Sequence, residues 1–232
     1  MTKPRLHAKI QHRWDLSPQA AIALQIELAP RVICESELGE LSCIAGIDAS
    51  YRDGMAFAAI VVLSYPALDL MECAVAERPV EFPYVPGLLS FREAPAVLDA
   101  LGKLETIPDL LIFDGHGLAH PRRLGIASHI GLVVDAPSIG CAKRRLCGHY
   151  EDPGPERGQS SDLLDGDVPI GAVVRTRTGV QPIFVSIGHR VDLATAVETI
   201  LACGRGYRLP EPTRLADRLA GGRPLSTTTG TT

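Results

Sequence analysis

Residues 110–125 place chemically reactive side chains directly after a hydrophobic segment. The run 110–113 is continuously apolar, which is typical of a strand buried on both faces. Because ligand sites in open α/β sheets lie beyond strand ends, the residues that follow predict a carboxylate, imidazoles and cations at one rim of a sheet. A polar loop with glycine turns is the alternative. The residues concerned are Asp114, Gly115, His116, Gly117, His120, Arg122 and Arg123.

Asp48, Glu93 and Lys143 extend this group. Asp48 interrupts a predicted strand, and because aspartate is a poor strand former, its carboxylate must face solvent, a partner or a metal. The first strand of a meander commonly lies beside the next parallel strand, so we expect Asp48 and Asp114 to approach each other. Two close carboxylates repel unless a cation sits between them. Such oxygen ligands suit Mg²⁺, with Mn²⁺ as a substitute.

These residue types have the chemistry of a metal-dependent phosphoesterase. A metal held by acids activates water and stabilises negative charge during phosphodiester cleavage. His120 is suited to orient or deprotonate the attacking water, and Lys143 to neutralise the phosphate. Surface glutamates on helices are common, so Glu93 taken alone favours an ordinary surface position on a helix. The residue types alone do not identify which nucleic-acid base the protein recognises.

Residues 83–87, which we call the proline loop, present an aromatic side chain between two prolines. Pro83 and Pro86 have fixed φ angles and restrict the residues before them. The loop is therefore stiff, and Tyr84 can be held out from the surface. Such an aromatic suits stacking on a base or wedging between bases. A tyrosine packed beneath its own loop is the alternative.

The order of the predicted elements favours an α/β fold with a ribonuclease H-like mixed sheet: an antiparallel meander, then parallel strands, with helices on both faces. We expect one domain over residues 1–220 and a disordered tail at 221–232. The predicted helices are 18–29, 88–104 with a kink or restart at Pro95, 124–130, one that carries Lys143, and 192–202. The predicted strands are 43–51, 55–63, 70–78, 110–113, 132–134, 170–176 and 182–187, with an exposed loop at 151–167.

Composition narrows the class of protein. The formal net charge of −4 does not by itself indicate a nucleic-acid binder, although the local runs 122–123 and 143–145 are candidate phosphate contacts or solvated surface charge. None of the six cysteines forms a Cys-x-x-Cys pair, which argues against a zinc site. The sequence has no signal-peptide pattern and no apolar run of membrane-spanning length. We therefore expect a soluble protein of the reducing cytoplasm, and the composition favours a monomer.

Six motifs, in order, resemble those of the endonuclease V family of deoxyinosine-directed repair nucleases, and the likeness extends from about Trp14 to Leu219. They are Ala-Gly-Ile-Asp (45–48), Pro-Tyr-Val-Pro-Gly-Leu-Leu-Ser-Phe-Arg-Glu (83–93), Asp-Gly-His-Gly-Leu-Ala-His-Pro-Arg-Arg-Leu-Gly (114–125), Ile-Gly-Cys-Ala-Lys (139–143), Val-Ser-Ile-Gly-His (185–189) and Tyr-Arg-Leu-Pro-Glu-Pro-Thr-Arg (207–214).

The resemblance implies hydrolysis of the second phosphodiester bond 3′ to deoxyinosine in DNA, leaving 3′-hydroxyl and 5′-phosphate ends, with inosine in RNA as a second candidate substrate. It implies an Mg²⁺ site at the acids, and catalysis by the acids with His120 and Lys143. The expected metal ligands are Asp48, Glu93 and Asp114. The expected substrate contacts are Pro83, Tyr84, Pro86, Gly87, Gly117, Arg122 and His189.

Three positions differ from the expected family pattern, and one of them, Ile187 before Gly188 and His189, is a minor variation. Cys141 stands where a larger aliphatic residue is expected, which should change packing and leave the chemistry intact. His116 stands where some members carry glutamine, so it is assigned no role. Two other functions stay open: a non-catalytic module that binds inosine or branched nucleic acid, and a junction resolvase of the same fold. The sequence does not decide between DNA and RNA, or between one metal and two.

Overall fold

One eight-stranded mixed sheet contains every strand of the computed structural model, which describes residues 6–225. The strands are β1 (Cys43–Arg52), β2 (Met55–Ser64), β3 (Leu70–Pro79), β4 (Leu110–Phe113), β5 (Ser138–Ala142), β6 (Ser160–Asp165), β7 (Val168–Val174) and β8 (Ile183–His189). The helices are α1 (Pro18–Leu28), α2 (Leu89–Leu101), α3 (Ile126–Val134), α4 (Leu193–Ala202) and α5 (Glu211–Ala220). The strand order is β3-β2-β1-β4-β5-β8-β7-β6.

The predicted antiparallel meander is confirmed. Strands β1 and β2 pair in register from Cys43 opposite Ser64 to Arg52 opposite Met55, and β3 continues the antiparallel pairing. The turn between β1 and β2 contains Asp53 and Gly54, both with positive φ. That backbone conformation matches the twist of a tight hairpin, so the turn joins β1 directly to β2.

Strand β4 lies at the centre of the sheet, parallel to both β1 and β5. All four of its residues are buried, because α2 and α3 cover one face of the sheet while α4 and α5 cover the other. The continuous apolar run 110–113 has this physical cause. The predicted ribonuclease H-like arrangement, with Asp48 on the strand next to Asp114, is confirmed.

Two segments between β4 and Lys143 differ from the prediction. Residues 132–134 do not form a strand but the last turn of α3, which ends at Asp135 in a left-handed conformation. A short apolar run has the same pattern in a buried strand and in a fully buried helix, and every residue of α3 is buried. Residues 138–142 form β5 instead of a loop into a helix. Lys143 therefore follows the end of a strand.

Two further expectations need correction: the loop at 151–167, and the restart that was one of the two alternatives at Pro95. The segment 151–167 is not a loop throughout, because Ser160–Asp165 is the outermost strand of the sheet and pairs with β7. Its serines and acids are tolerated because an edge strand exposes one side to water. Helix α2 runs through Pro95 without a restart. Of the tail expected at 221–232, the structure describes residues 221–225. Residues 226–232 lie outside the described residues.

The sequence analysis missed helix α5. It packs across β1 and β2, where Gly46 permits close approach: a Cβ atom at that position would lie 2.1 Å from the backbone carbonyl carbon and oxygen of Pro212. Helix α5 begins with Glu211 and Pro212, residues suited to a first helical turn. This helix brings an additional acid to the sheet rim.

Candidate active site

Three aspartates, which we call the acid triad, come together at the rim of the sheet. Asp48 is in β1, Asp114 directly follows β4, and Asp217 is in α5. One carboxylate oxygen from each lies within 4.8 Å of the others. Even-numbered residues of β1 and β4, such as Ile44 and Ile112, face α4 and α5. Asp48 and Asp114 continue that alternation, which places their carboxylates toward α5.

The ammonium group of Lys143 lies among these carboxylates. Its Nζ is 2.5 Å from Oδ2 of Asp114 and 2.6 Å from Oδ1 of Asp217. Burial lowers the pKa of Lys143, but the hydrogen bonds to the two carboxylates outweigh burial and raise the pKa overall. The Lys143 side chain therefore carries a positive charge directly beside the carboxylates of Asp114 and Asp217.

Burial raises the pKa of every acid that the sequence analysis selected. The pKa of Asp48 rises to about 7, first because of burial and then because of the negative charge on Asp114. Burial likewise raises the pKa of Asp114, and it raises that of Glu93 to about 8. Closely placed, desolvated oxygen donors of this kind fit a hard divalent cation, which would favour their ionised forms. The donor set therefore fits Mg²⁺ or Mn²⁺.

Glu93 approaches the acid triad from the opposite face of the sheet, on α2. Its carboxylate accepts a hydrogen bond of 2.9 Å from the hydroxyl of Tyr51, and the guanidinium carbon of Arg92 lies 4.5 Å from the centre of the Tyr51 ring. The charges of Asp48 and Asp114 both contribute to its raised pKa. Glu93 is thus near these acids but outside the group whose oxygens lie within 4.8 Å.

A cavity of about 220 Å³ opens between the proline loop and the segment that follows β4, and Gly115, the residue after Asp114, is part of its lining. We call it the rim cavity. Tyr84 stands at its edge with 73% of its surface exposed, so the tyrosine is not packed beneath its own loop. Phe82 and Leu88, on either side of the proline loop, are buried and anchor it. The residues that line the cavity include Tyr84, Pro86, Gly87, Ser90, Gly115, His116, His120, Gly125 and Arg144.

His120 and Arg122 are both engaged with the backbone of the proline loop. Nε2 of His120 donates to the carbonyl oxygen of Gly87 at 2.9 Å, and its Nδ1 accepts the backbone N–H of Arg122 at 3.1 Å. The Arg122 side chain donates from Nη2 to the same carbonyl at 2.8 Å. Burial lowers the pKa of His120 to about 4. This hydrogen-bond pattern holds His120 as a neutral ring that supports the loop.

The structure does not bring His189 to this site. Its ring is buried at the end of β8 where that strand pairs with Ser138 of β5, while Lys143 lies beyond the other end of β5. Nδ1 of His189 accepts the backbone N–H of Ile33, and Nε2 lies 3.6 Å from Asp135. These contacts connect the strand to the segment after α1, so the expected substrate contact of His189 has no geometric support.

Gly117 has a structural reason to be glycine. A Cβ atom there would lie 1.9 Å from the carbonyl oxygen of Ile187, and its backbone N–H donates to Oγ of Ser186. Its neighbour His116 lines the rim cavity and donates from Nε2 to the carbonyl oxygen of Arg144. Among the described residues, Nδ1 of His116 is the one buried side-chain nitrogen or oxygen without a hydrogen-bond partner. Gly117 therefore shapes the loop behind the cavity.

Asp217 is the site residue that the sequence analysis missed. The motif at 207–214 was recognised, but the helix that follows it was not. The pattern Glu-Pro-Thr-Arg, followed by apolar residues at Leu215, Ala216, Leu219 and Ala220, is typical of a helix start and an amphipathic helix. The sequence feature that could have identified the residue is the position of Asp217 next to the buried face of this predicted helix.

An acidic metal centre on a ribonuclease H-like sheet defines the class of a metal-dependent nuclease. The family model for endonuclease V matches residues 26–218. The chain therefore belongs to the endonuclease V family, and it is an endonuclease, a hydrolase of DNA repair. No helix among residues 6–225 is long and apolar enough to cross a membrane.

Individual relatives agree with this assignment. The endonuclease V of Roseiflexus sp. (strain RS-1) is 54% identical over 207 residues, covering 89% of this chain and 93% of the relative. The crystal structure of the Streptomyces avermitilis endonuclease V has a TM-score of 0.86 and 44% identity over 93% of this chain and 96% of that one. An endonuclease V of Ciona intestinalis, in complex with a 23mer DNA containing an inosine followed by a ribo-adenosine, has a TM-score of 0.77 and 27% identity, covering 89% and 98%.

Proposed function

We propose that this protein cleaves the second phosphodiester bond 3′ to deoxyinosine in DNA and leaves 3′-hydroxyl and 5′-phosphate ends. Inosine in RNA is a second candidate substrate. The observation that carries the proposal is that Gly115 and Arg144, the chain neighbours of Asp114 and Lys143, line the rim cavity. The inosine-containing DNA bound by the Ciona intestinalis relative supports the choice of base.

In this proposal the acid triad holds Mg²⁺, with Mn²⁺ as a substitute, and Glu93 supports the site from the other face of the sheet. When bound, the metal supplies Lewis-acid activation of water and of the scissile phosphate. Lys143 lies within hydrogen-bond distance of Asp114 and Asp217. Its ammonium group is therefore placed to neutralise a phosphate oxygen at the same point.

The proline loop and the rim cavity separate and receive the bases. Tyr84 is exposed between Pro83 and Pro86, a geometry suited to wedging between base pairs. A nucleotide that leaves the duplex would enter the cavity, whose lining includes Gly87 and Gly115. His120 and Arg122 contribute through the loop that they hold. His189 and Gly117 contribute only to the packing behind the site.

We also propose that residues 1–220 act as a single domain, as a monomer, in the cytoplasm. All eight strands belong to one sheet, and β1 and β4 contribute alternate residues to the hydrophobic clusters on its two faces. All six cysteines are free, as a reducing compartment requires.

The test is cleavage of single-stranded DNA and RNA, each with one central inosine, with Mg²⁺ and with a chelator. We expect Mg²⁺-dependent cutting one nucleotide beyond the bond 3′ to the inosine, and none in an Asp114→Asn variant. Binding without cutting would replace the proposal with the non-catalytic binding module. Cutting of branched junctions in preference to inosine would favour the resolvase.

A further inference from the structure

Helix α1 presents a buried glutamine to the proline loop. Three residues of α1 are buried, at successive turns: Ala21, Gln25 and Leu28. Ala21 packs in one hydrophobic cluster with the anchors of the proline loop, and Leu28 packs in another with Leu124. Gln25 lies between these two contacts with 1% of its surface exposed. A polar side chain at the centre of a buried helix face requires a hydrogen-bonding reason.

The amide of Gln25 connects two loops that are far apart in sequence. Its Nε2 donates to the carbonyl oxygens of Gly87, at 3.1 Å, and Leu124, at 3.0 Å. Its Oε1 accepts from Nε of Arg122 at 2.6 Å. Both N–H groups and the oxygen are therefore used, which defines the orientation of the amide.

Gly87 is the point where these contacts converge. Its carbonyl oxygen accepts from Gln25, His120 and Arg122. Gly87 has a φ of +80°, and a Cβ atom there would lie 2.7 Å from the Arg122 side chain. The end of the proline loop is thus held through one carbonyl oxygen by donors from α1 and from the segment after β4. Gln25 also holds the guanidinium of Arg122 in the orientation that reaches this carbonyl.

We propose that Gln25 is a positioning residue, which acts through Gly87 and Arg122 to hold the proline loop, with Tyr84, at the edge of the rim cavity. The inference rests on the proposed function and deepens it. Gln25 has no contact with the acid triad in its hydrogen bonds, so it affects strand opening and leaves the chemical step alone. Gln25 also lines the rim cavity, but a single-stranded substrate needs no strand opening and therefore depends less on Gln25 than a duplex does.

The test compares duplex and single-stranded DNA, each with one inosine, under single-turnover conditions with Mg²⁺. For Gln25→Leu we expect the rate on the duplex to fall about tenfold or more, because small displacements of a positioned group cost that much. We expect the rate on the single strand to fall by a clearly smaller factor than the rate on the duplex. Gln19→Leu is the matched control, since Gln19 is exposed on the same helix, and it should match the wild type on both substrates.

A second variant and a second measurement keep the test decisive. Gln25→Glu retains an acceptor for Arg122 but turns a carboxylate oxygen toward the Gly87 carbonyl. The cleavage rate of this variant should therefore also fall more on the duplex than on the single strand. A 2-aminopurine placed next to the inosine should brighten when wild-type protein opens the duplex, and brighten less with either variant. This fluorescence does not depend on cleavage.

Both the cleavage comparison and the fluorescence measurement have an outcome that would contradict the role proposed for Gln25. Equal loss on duplex and single strand, or no loss on either, would overturn the positioning role of Gln25. Normal brightening with both variants would overturn it as well. Wild-type protein that cuts neither substrate would overturn the proposed function, and the fluorescence comparison would still decide the role of Gln25.

Discussion

Asp217 differs from the other two members of the acid triad in how its carboxylate is held. Oδ1 lies 2.6 Å from Nζ of Lys143, and Oδ2 lies 3.1 Å from Nη2 of Arg223. The Asp217 side chain is 36% exposed, against 9% for Asp114. Asp217 therefore contributes negative charge at the open side of the site, where a phosphate and water would enter.

An Asp217→Asn substitution should reduce catalysis while leaving the fold intact, because asparagine keeps the size of the side chain and removes its charge. We expect metal affinity to fall at least about tenfold and cleavage of inosine-containing DNA to fall about a hundredfold or more. Calorimetric Mn²⁺ titration and single-turnover rates measure both. Asp162→Asn, at an exposed position on β6, is the control and should behave as wild type. Normal metal affinity in Asp217→Asn would remove Asp217 from the metal site.

At the scale of elements, α5 and the proline loop reach the site by different means. Helix α5 is held by close packing, since Gly46 of β1 leaves room for the backbone of Pro212. The proline loop is held by its buried neighbours Phe82 and Leu88 and by hydrogen bonds to Gly87. Close packing of α5 therefore positions Asp217. Hydrogen bonds to Gly87, together with the buried neighbours of the loop, position the exposed Tyr84.

A Gly46→Ala substitution should displace the start of α5. The added methyl group would overlap the Pro212 backbone, and such overpacking lowers the free energy of unfolding by about 1–3 kcal/mol. In a chain of this size the melting temperature falls by roughly 2–4 °C for each kcal/mol. We expect weaker Mn²⁺ binding in addition, because Asp217 moves with the helix. Gly39→Ala, where the methyl group meets no atom within 4 Å, is the control. An unchanged melting temperature in Gly46→Ala would contradict the close contact.

A Tyr84→Ala substitution should affect duplex substrates and spare stability. Because Tyr84 is 73% exposed, its removal should change the melting temperature by less than about 1 °C. Cleavage of an inosine in duplex DNA should fall about tenfold, with a smaller loss on single strands. Tyr207→Ala removes another tyrosine that is 52% exposed and is the control. Equal losses on the two substrates would show that Tyr84 does not act as a wedge.

At the scale of the whole molecule, the buried acids couple stability to pH and to metal. The pKa values of Asp48, about 7, and Glu93, about 8, are both raised above their ordinary values of 3.8 and 4.5. The folded protein therefore keeps protons that the unfolded chain has already lost. The stability that these protons contribute is fully present below about pH 4 and is lost as the pH rises toward about 8.

A divalent cation should offset this loss, because it favours the ionised carboxylates. We expect Mg²⁺ to raise the melting temperature more at about pH 8.5 than at about pH 6. Thermal unfolding at both pH values, with and without Mg²⁺, measures the difference. The Asp48→Asn variant should show a smaller pH dependence. An Mg²⁺ effect of the same size at both pH values would contradict the coupling.

Much of the fold could be predicted because local pattern and tertiary environment agree. The short turns between the three segments of 43–78 predict the meander, and helices α1 and α4 begin close to their predicted starts, after the capping side chains of Ser17 and Asp192. The prediction failed at 132–142, where short apolar runs are buried from all sides. There a helix and a strand have the same sequence pattern, and only the neighbouring elements decide between them.

The candidate site was predictable to a similar extent. Asp48 and Asp114 could be placed together because adjacent parallel strands end at the same rim. The face from which each side chain enters could not be predicted. Glu93 approaches from the α2 side and Asp217 from the α5 side, and His189 lies at the opposite end of the sheet.

By itself, the sequence determined the residue types and the order of the elements, and therefore the acids, the lysine and the stiff proline loop. These properties follow from side-chain chemistry and local backbone preference, which depend only on residues that are close together in the sequence. Tertiary structure alone decided which carboxylates meet, and which donors hold Gly87. Asp48 and Asp217 are distant in the chain, and Gln25 becomes a hydrogen-bonding partner of Arg122 only when α1 packs over the loops. Burial then sets their pKa values and hydrogen bonds, since desolvation depends on every element that surrounds a group.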